Sequence, residues 1–234
     1  MDPKTRMTPE WIARALQQNP CAMLESGNIR TCPVRLSFPN VFKPGKPMKE
    51  GDEPKHGSAL LFPLGADLGL LHGEVLKVAR AEFASCFQGD QYLGGLHLPF
   101  RDQQDKAKFD GYVPGAIFIT ATTKFKPAVV GSDMQPILDE ARVYPGVWAL
   151  ATLNLFVYRS KMKQGVSFGL QSVMIAADDE KLGGAGGNPN EDYKGVRIET
   201  ETAFDPSRQF GVAPSTIPSE KPGPGNALAA LGLT

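Results

Sequence analysis

A chain of 234 residues can bury one substantial core or two small ones. Its 41% hydrophobic and 21% charged content suits a globular protein, and 25 glycines with 20 prolines point to many turns or a flexible segment. The formal net charge is zero, so bulk charge drives the protein toward neither nucleic acid nor membrane, and any polyanion site has to be a local patch.

In chain order, Thr8-Pro9-Glu10 followed by "WIARALQQN" predicts a short capped helix, with Trp11, Ile12, Ala15 and Leu16 on one stripe and Pro20 beyond its end. Val34, Leu36 and Phe38 alternate with Arg35 and Ser37, a strand pattern. Residues 43–57, "KPGKPMKEGDEPKHG", combine prolines, glycines and charges of both signs and predict a mobile loop, which the strand "SALLFPL" closes. From Asp67, placed as N-cap, Leu68, Leu71, Val75, Val78, Ala79 and Phe83 recur at helical spacing. An irregular polar stretch then leads to two strands, "AIFITATTKFKPAVV" and "VWALATLNLFVY". "GVSFGLQSVMIAA" and "YKGVRIET" make a further pair, and the chain from Pro206 reads as a disordered tail. The order predicts a mainly β domain with an inserted helix over residues 28–205. A helical extension, 1–27, precedes it, and a Pro/Gly-rich tail, 206–234, follows.

Cys21, Cys32 and Cys86 are odd in number, widely spaced and without a C-x-x-C pair, which argues against a disulfide framework and a zinc site. The N-terminus has no apolar stretch like that of a signal peptide, and no run approaches the ~18 apolar residues of a membrane span. The reading is a cytosolic protein with no membrane contact and no cofactor.

The two central strands carry the functional signal. In residues 147–158 the odd positions, Val147, Ala149, Ala151, Leu153, Leu155 and Val157, are aliphatic and mostly small. The even ones, Trp148, Leu150, Thr152, Asn154, Phe156 and Tyr158, mix aromatics with hydrogen-bonding groups and lead into Arg159, Lys161 and Lys163. In residues 117–126 Ile117, Ile119, Ala121, Thr123 and Phe125 oppose Phe118, Thr120, Thr122, Lys124 and Lys126. Aromatic platforms with flanking cations are what unstacked bases and phosphates need. Small aliphatics suit the inside of a tight barrel, and a five-stranded barrel that binds oligonucleotides on its outer face is the OB-fold. Residues 111–170 hold six cations against three acids, a moderate basic patch that predicts salt-sensitive binding. The same aromatic face also suits packing against the helix, another sheet or a partner protein, as in a structural or scaffolding protein.

Asp102, Asp105 and Asp110 with His97 raise a metal-dependent nuclease, but their spacing matches no metal-ligand motif. "GGAGGNPNEDYKG" lacks the P-loop pattern, and no Ser, Cys or Lys has a visible base beside it, so the sequence does not read as an enzyme.

The runs "VRLSFPNVFKP", "SALLFPLGAD", "HLPFRDQQDK", "GAIFITATTKFKPAVV", "ARVYPGVWALATLNLFVY" and "KQGVSFGLQSVMIAADDEKLGG" follow one another in a characteristic order over about residues 30–200. In this the chain resembles the bacteriophage single-stranded-DNA-binding proteins long catalogued as a domain of unknown function. The resemblance implies an OB-fold, a partner in single-stranded DNA, and a role in coating single strands during phage replication and recombination in the host cytoplasm. Phage replication or recombination proteins would be further partners. It marks Phe118, Lys124 and Lys126, then Trp148, Phe156, Tyr158, Arg159, Lys161 and Lys163, as contact residues. Lys43, Lys46, Lys49 and Lys55 would form a flexible basic flap; Arg101 in "PFRD" is a further, weaker candidate, the alternative being a scaffold ion pair with Asp102 or Asp105. One departure is the C-terminus, "SEKPGPGNALAALGLT", which is not the acidic tip common in proteins of this function.

Overall fold

The computed structural model describes residues 4–47, 51, 53–160, 163–183 and 194–195. Lys49, Lys161, the segment 196–200 and the tail from Pro206 lie outside the described residues. The chain divides into a unit of Met1–Ala185 and a second, Gly186–Thr234, and the elements below belong to the first.

Helix α1 spans Pro9–Gln18, with proline at its first position and the Thr8 hydroxyl accepting from the Trp11 amide at 3.2 Å. Helix α2 spans Gly69–Glu82 and starts later than the sequence predicts. Leu68 is the N-cap, and Asp67 instead accepts from the Gly69 amide at 2.8 Å. Neither helix is long and apolar enough to cross a membrane.

Five longer strands make the body: β1 (Val34–Gly45), β2 (Lys55–Leu61), β3 (Ile117–Thr123), β4 (Trp148–Arg159) and β5 (Gln164–Ala177). The predicted strand 116–130 is broken at Thr123, and Ala128–Val130 returns separately to pair in parallel with Ser172–Met174. Antiparallel pairs β1–β2, β2–β3 and β4–β5 are joined by a parallel β3–β5 contact and an antiparallel β4–β1 contact, so the pairings return to their starting strand. The protein is mostly β with two helices, an OB-like arrangement.

Alternation assigns the faces as the sequence suggests. Val147, Ala149, Ala151 and Leu153 point inward with Leu36, Leu60, Ile119, Ala121 and Phe168, all at most 1% exposed. Small residues on β4 leave room for α2, which buries Leu71, Val75 and Ala79 in the same core. The outer face is not uniformly open, however. Its first row runs Trp148, Arg35, Leu61, Phe118 across β4, β1, β2 and β3. Trp148 and Phe118 are 2% and 0% exposed. Trp11 of α1 packs edge-on to Trp148 at 5.4 Å, and Tyr112 packs edge-on to Phe118 at 5.4 Å.

That row is held by Asp179, whose carboxylate accepts from Trp148 Nε1 at 2.7 Å, from the Thr5 hydroxyl and from the Arg6 amide. The buried Arg35 guanidinium lies 3.7 Å from the same carboxylate and donates to the carbonyls of Gly146 and Glu180. One carboxylate thus ties the N-terminal segment to the sheet and satisfies the buried Trp148 Nε1 donor.

Candidate nucleic-acid interface

Beyond that row the cover of the outer face thins from β1 toward β3: Ser37 and Ala59 are still buried, with the Tyr112 hydroxyl donating to Ser37 Oγ at 3.3 Å, whereas Thr120 is exposed. Ser37, Ala59 and Thr120 form the second row of that face, and Asn40, Gly57 and Thr122 the third. Asn40, Gly57, Ala59, Thr120 and Thr122, none larger than asparagine, line the floor of a groove of about 740 Å³. A Cβ at Gly57 would come within 2.5 Å of the Ala121 carbonyl oxygen, so glycine there permits the close β2–β3 approach.

One wall is aromatic and depends on a bulge. Between the pairs Ser37–Ala59 and Asn40–Gly57 β1 contains one residue more than β2, and Phe38 sits in the left-handed region at φ 51°. A bulge with a positive φ at a bulky residue re-aims its side chain at a conformational cost. Phe38 is consequently 49% exposed, edge-on to Phe109 at 5.4 Å, and Phe109 is itself 39% exposed. The alternation of Val34 and Leu36 had placed Phe38 in the core.

Cations line the same wall and the mouth. Lys106 Nζ stands 5.6 Å from the Phe38 ring, 5.7 Å from Tyr112 and 5.1 Å from Phe118. Burial, and then the Arg101 charge, hold the Lys106 ammonium below its ordinary pKa. Neither Lys106 nor Arg101 has an ion-pair partner among the described residues, so an anion placed between them would relieve their repulsion. Lys46, Lys55 and Lys124 line the groove opposite, with Lys124 bridged to Glu53. His56 also lines it, 8% exposed, with Nδ1 buried and unpartnered. Phe125, 82% exposed, stands in the turn between Lys124 and Lys126, because the strand ends at Thr123 and alternation stops there.

The groove therefore brings together Lys46, Lys55 and Lys124, with Arg101 beside Lys106. It does not include the other candidates. The structure corrects Trp148 and Phe118: they lie on the outer face as expected, but α1 and Tyr112 cover them, so neither ring can stack a base. Arg159 is occupied, donating to the Glu82 carbonyl and carboxylate at 2.9 and 3.0 Å with its guanidinium 4.7 Å from the Phe83 ring. Lys43 pairs with Glu140 at 2.9 Å, and Lys126 lies 5.4 Å from the Phe42 ring. Phe156, 39% exposed, and Tyr158, half-buried, sit with Lys163 toward the far end of the β4–β5 hairpin.

Two of the three acidic residues of the nuclease reading have structural partners. Asp102 accepts from the Gln104 and Gly115 amides, and Asp110 pairs with Lys4 at 3.3 Å. Among the described residues no group of three or more His, Cys, Asp or Glu side chains could hold a metal ion. Sequence reasoning missed Phe38, His56, Lys106 and Phe109, and Lys108, whose Nζ lies 5.3 Å from the Phe109 ring. The signal open to it was "DKAKFD", in which two lysines precede an aromatic inside a stretch otherwise read as an irregular loop.

Fold and groove together define an OB-like protein of the single-stranded-DNA-binding type. The chain belongs to the family described as Enterobacter phage Enc34, ssDNA-binding protein, which matches residues 27–204. The solved single-stranded DNA-binding protein from bacteriophage Enc34 in complex with ssDNA is 22% identical, with a TM-score of 0.52 over 70% of this chain and 94% of that one. A C-terminally truncated form of that protein gives 22% identity and a TM-score of 0.53, over 70% and 92%. At this identity the likeness is one of fold. No curated protein matches the chain.

Proposed function

We propose that the protein coats single-stranded DNA without marked sequence preference during phage replication and recombination in the host cytoplasm. Its five strands would act as an OB-type barrel, and it would act by binding alone, without catalysis. Phosphates track along Lys46, Lys55, Lys106 and Lys124, while bases stack on Phe38 and Phe109, with Phe125 at the mouth. His56 Nδ1, open to a hydrogen bond, lies against the floor of the same track. The observation that carries this reading is the exposed Phe38–Phe109 pair beside the unneutralised Lys106 and Arg101, over a floor of small side chains. Family membership supports it.

The test is fluorescence anisotropy of labelled oligo-dT and a matched duplex at low and high salt, without Mg²⁺. Single-strand binding that weakens with salt, with the duplex much weaker, is the expected result. Flat curves for both oligonucleotides would refute it and leave the groove to a protein partner.

A further inference from the structure

Away from the groove, two cysteines meet at the base of the small hairpin between α1 and β1. Ala22 pairs with Arg30 and Met23 with Ile29, which brings the chain just before the first strand alongside the chain just after the second. There the Cys32 amide donates to Cys21 Sγ at 3.2 Å, and each thiol bears on the titration of the other. Cys32 is 2% exposed, whereas Cys21 is half-buried and so reachable from solvent. Arg30 bears electrostatically on Cys21, and its Nε is buried without a partner.

Hydrogen bonding from Cys32, and more weakly the Arg30 charge, favour the Cys21 thiolate, while burial and the Asp67 carboxylate oppose it. The Cys32 hydrogen bond, working against burial, brings the Cys21 thiol down to about 7, while the same hydrogen bond and burial push the Cys32 thiol up. The two thiols are thereby differentiated: one is an accessible nucleophile, the other a buried proton-bearing neighbour. Cys86 is likewise half-buried and packed against the core, beyond α2, but no hydrogen bond from a second cysteine reaches it among the described residues.

We propose that Cys21 and Cys32 are an oxidisable dithiol site that takes hydrogen peroxide as oxidant, with Cys21 the attacking sulfur and Cys32 the resolving one. The Cys21 thiolate attacks one peroxide oxygen; an S–O bond forms, the O–O bond breaks, and the departing hydroxide takes up a proton as water. Cys32 then gives up its S–H proton, and its sulfur displaces the hydroxyl from Cys21 as a second water. Two thiols are oxidised to one disulfide and the peroxide is reduced to two waters. The bond would tie the segment leaving α1 to the segment entering β1. α1 is otherwise held by Trp11 against Trp148 and by Leu16 against the core, so the crosslink would add a covalent tie beyond its C-terminal end.

The full-length protein is treated with hydrogen peroxide near neutral pH, alkylated and digested with trypsin without reduction. Cys21 falls in residues 15–30, Cys32 in 31–35 and Cys86 in 81–101, so a 21–32 bond links two separate peptides. The expected result is a linked 15–30/31–35 species that dithiothreitol dissolves, with Cys86 still alkylated. In Cys32→Ser the linked species is absent, Cys21 is trapped as a dimedone adduct, and the midpoint of its alkylation rate against pH moves above the parent's. Cys21 and Cys32 that both stay alkylated under peroxide, or a bond to Cys86 or between molecules instead, would overturn the proposal. Because the parent protein carries the linkage test, the result stands even if the Cys32→Ser variant folds poorly.

Discussion

Replacing Phe38 by leucine separates the groove's aromatic wall from its fold. Leucine is unbranched at Cβ, so it meets the φ of 51° about as well as phenylalanine and keeps most of the apolar contact. The fold loses the edge-on Phe109 pair, worth ~0.5–1.5 kcal/mol, and the Lys106 contact, worth ~0.5–1 kcal/mol at a site this open. Binding loses a stacking platform worth ~1–3 kcal/mol, a roughly 5- to 140-fold rise in Kd. Anisotropy with oligo-dT reads the second effect and a thermal melt the first. Phe156→Leu, on the far hairpin end, should leave Kd within about twofold of the parent by the same arithmetic. If Phe38→Leu melts like the parent and also binds within twofold of it, the stacking assignment is wrong.

Other consequences follow from particular contacts. Lys106→Gln and Lys124→Gln should each flatten the slope of log K against log salt by ~0.7, measured by anisotropy from low to moderate salt. Trp148→Ala should cost ~3–5 kcal/mol in denaturant unfolding, because the ring is 2% exposed and anchors both Trp11 and Asp179. Burial works to raise the Asp179 pKa, but hydrogen bonds from Thr5, the Arg6 and Glu180 amides and Trp148 outweigh it and hold the carboxyl below 3.8. Its contribution to stability is therefore complete above the ordinary carboxylate range and lost as pH falls below about 4 toward the folded value. Asp179→Asn should be less stable at neutral pH and show a shallower acid limb in thermal melts.

The strands were legible because period-two alternation survives wherever one face is buried, and β4 displays it over nearly its whole length. α1 was legible too, since Thr8, Pro9 and the Trp11–Leu16 stripe are local signals. What covers an outer face is not local. Nothing in "VWALATLNLFVY" tells that a helix from residues 9–18 and a carboxylate at 179 bury Trp148, so half-right face reasoning led to a wrong platform. Phe38 failed for the opposite reason. Its position in the alternation reads as core, and the bulge that turns it outward exists only in the pairing with β2. Lys106 and Phe109 lay in a segment without periodicity, where pattern carries no positional information. Lysines of the 43–57 loop were found because composition alone marks such a segment, although only Lys46 and Lys55 among those described line the groove.

The central claim is that a single strand lies in the groove between the loop lysines and the Phe38–Phe109 wall. Photocrosslinking of a 5-bromodeoxyuridine oligonucleotide to the full-length protein, followed by peptide mapping, tests it most directly. Adducts on the peptides carrying Phe38 and Phe109, suppressed by unlabelled oligo-dT, are the predicted result. Adducts confined to the peptide carrying Phe156 and Tyr158 would contradict it and move the binding surface to the β4–β5 hairpin.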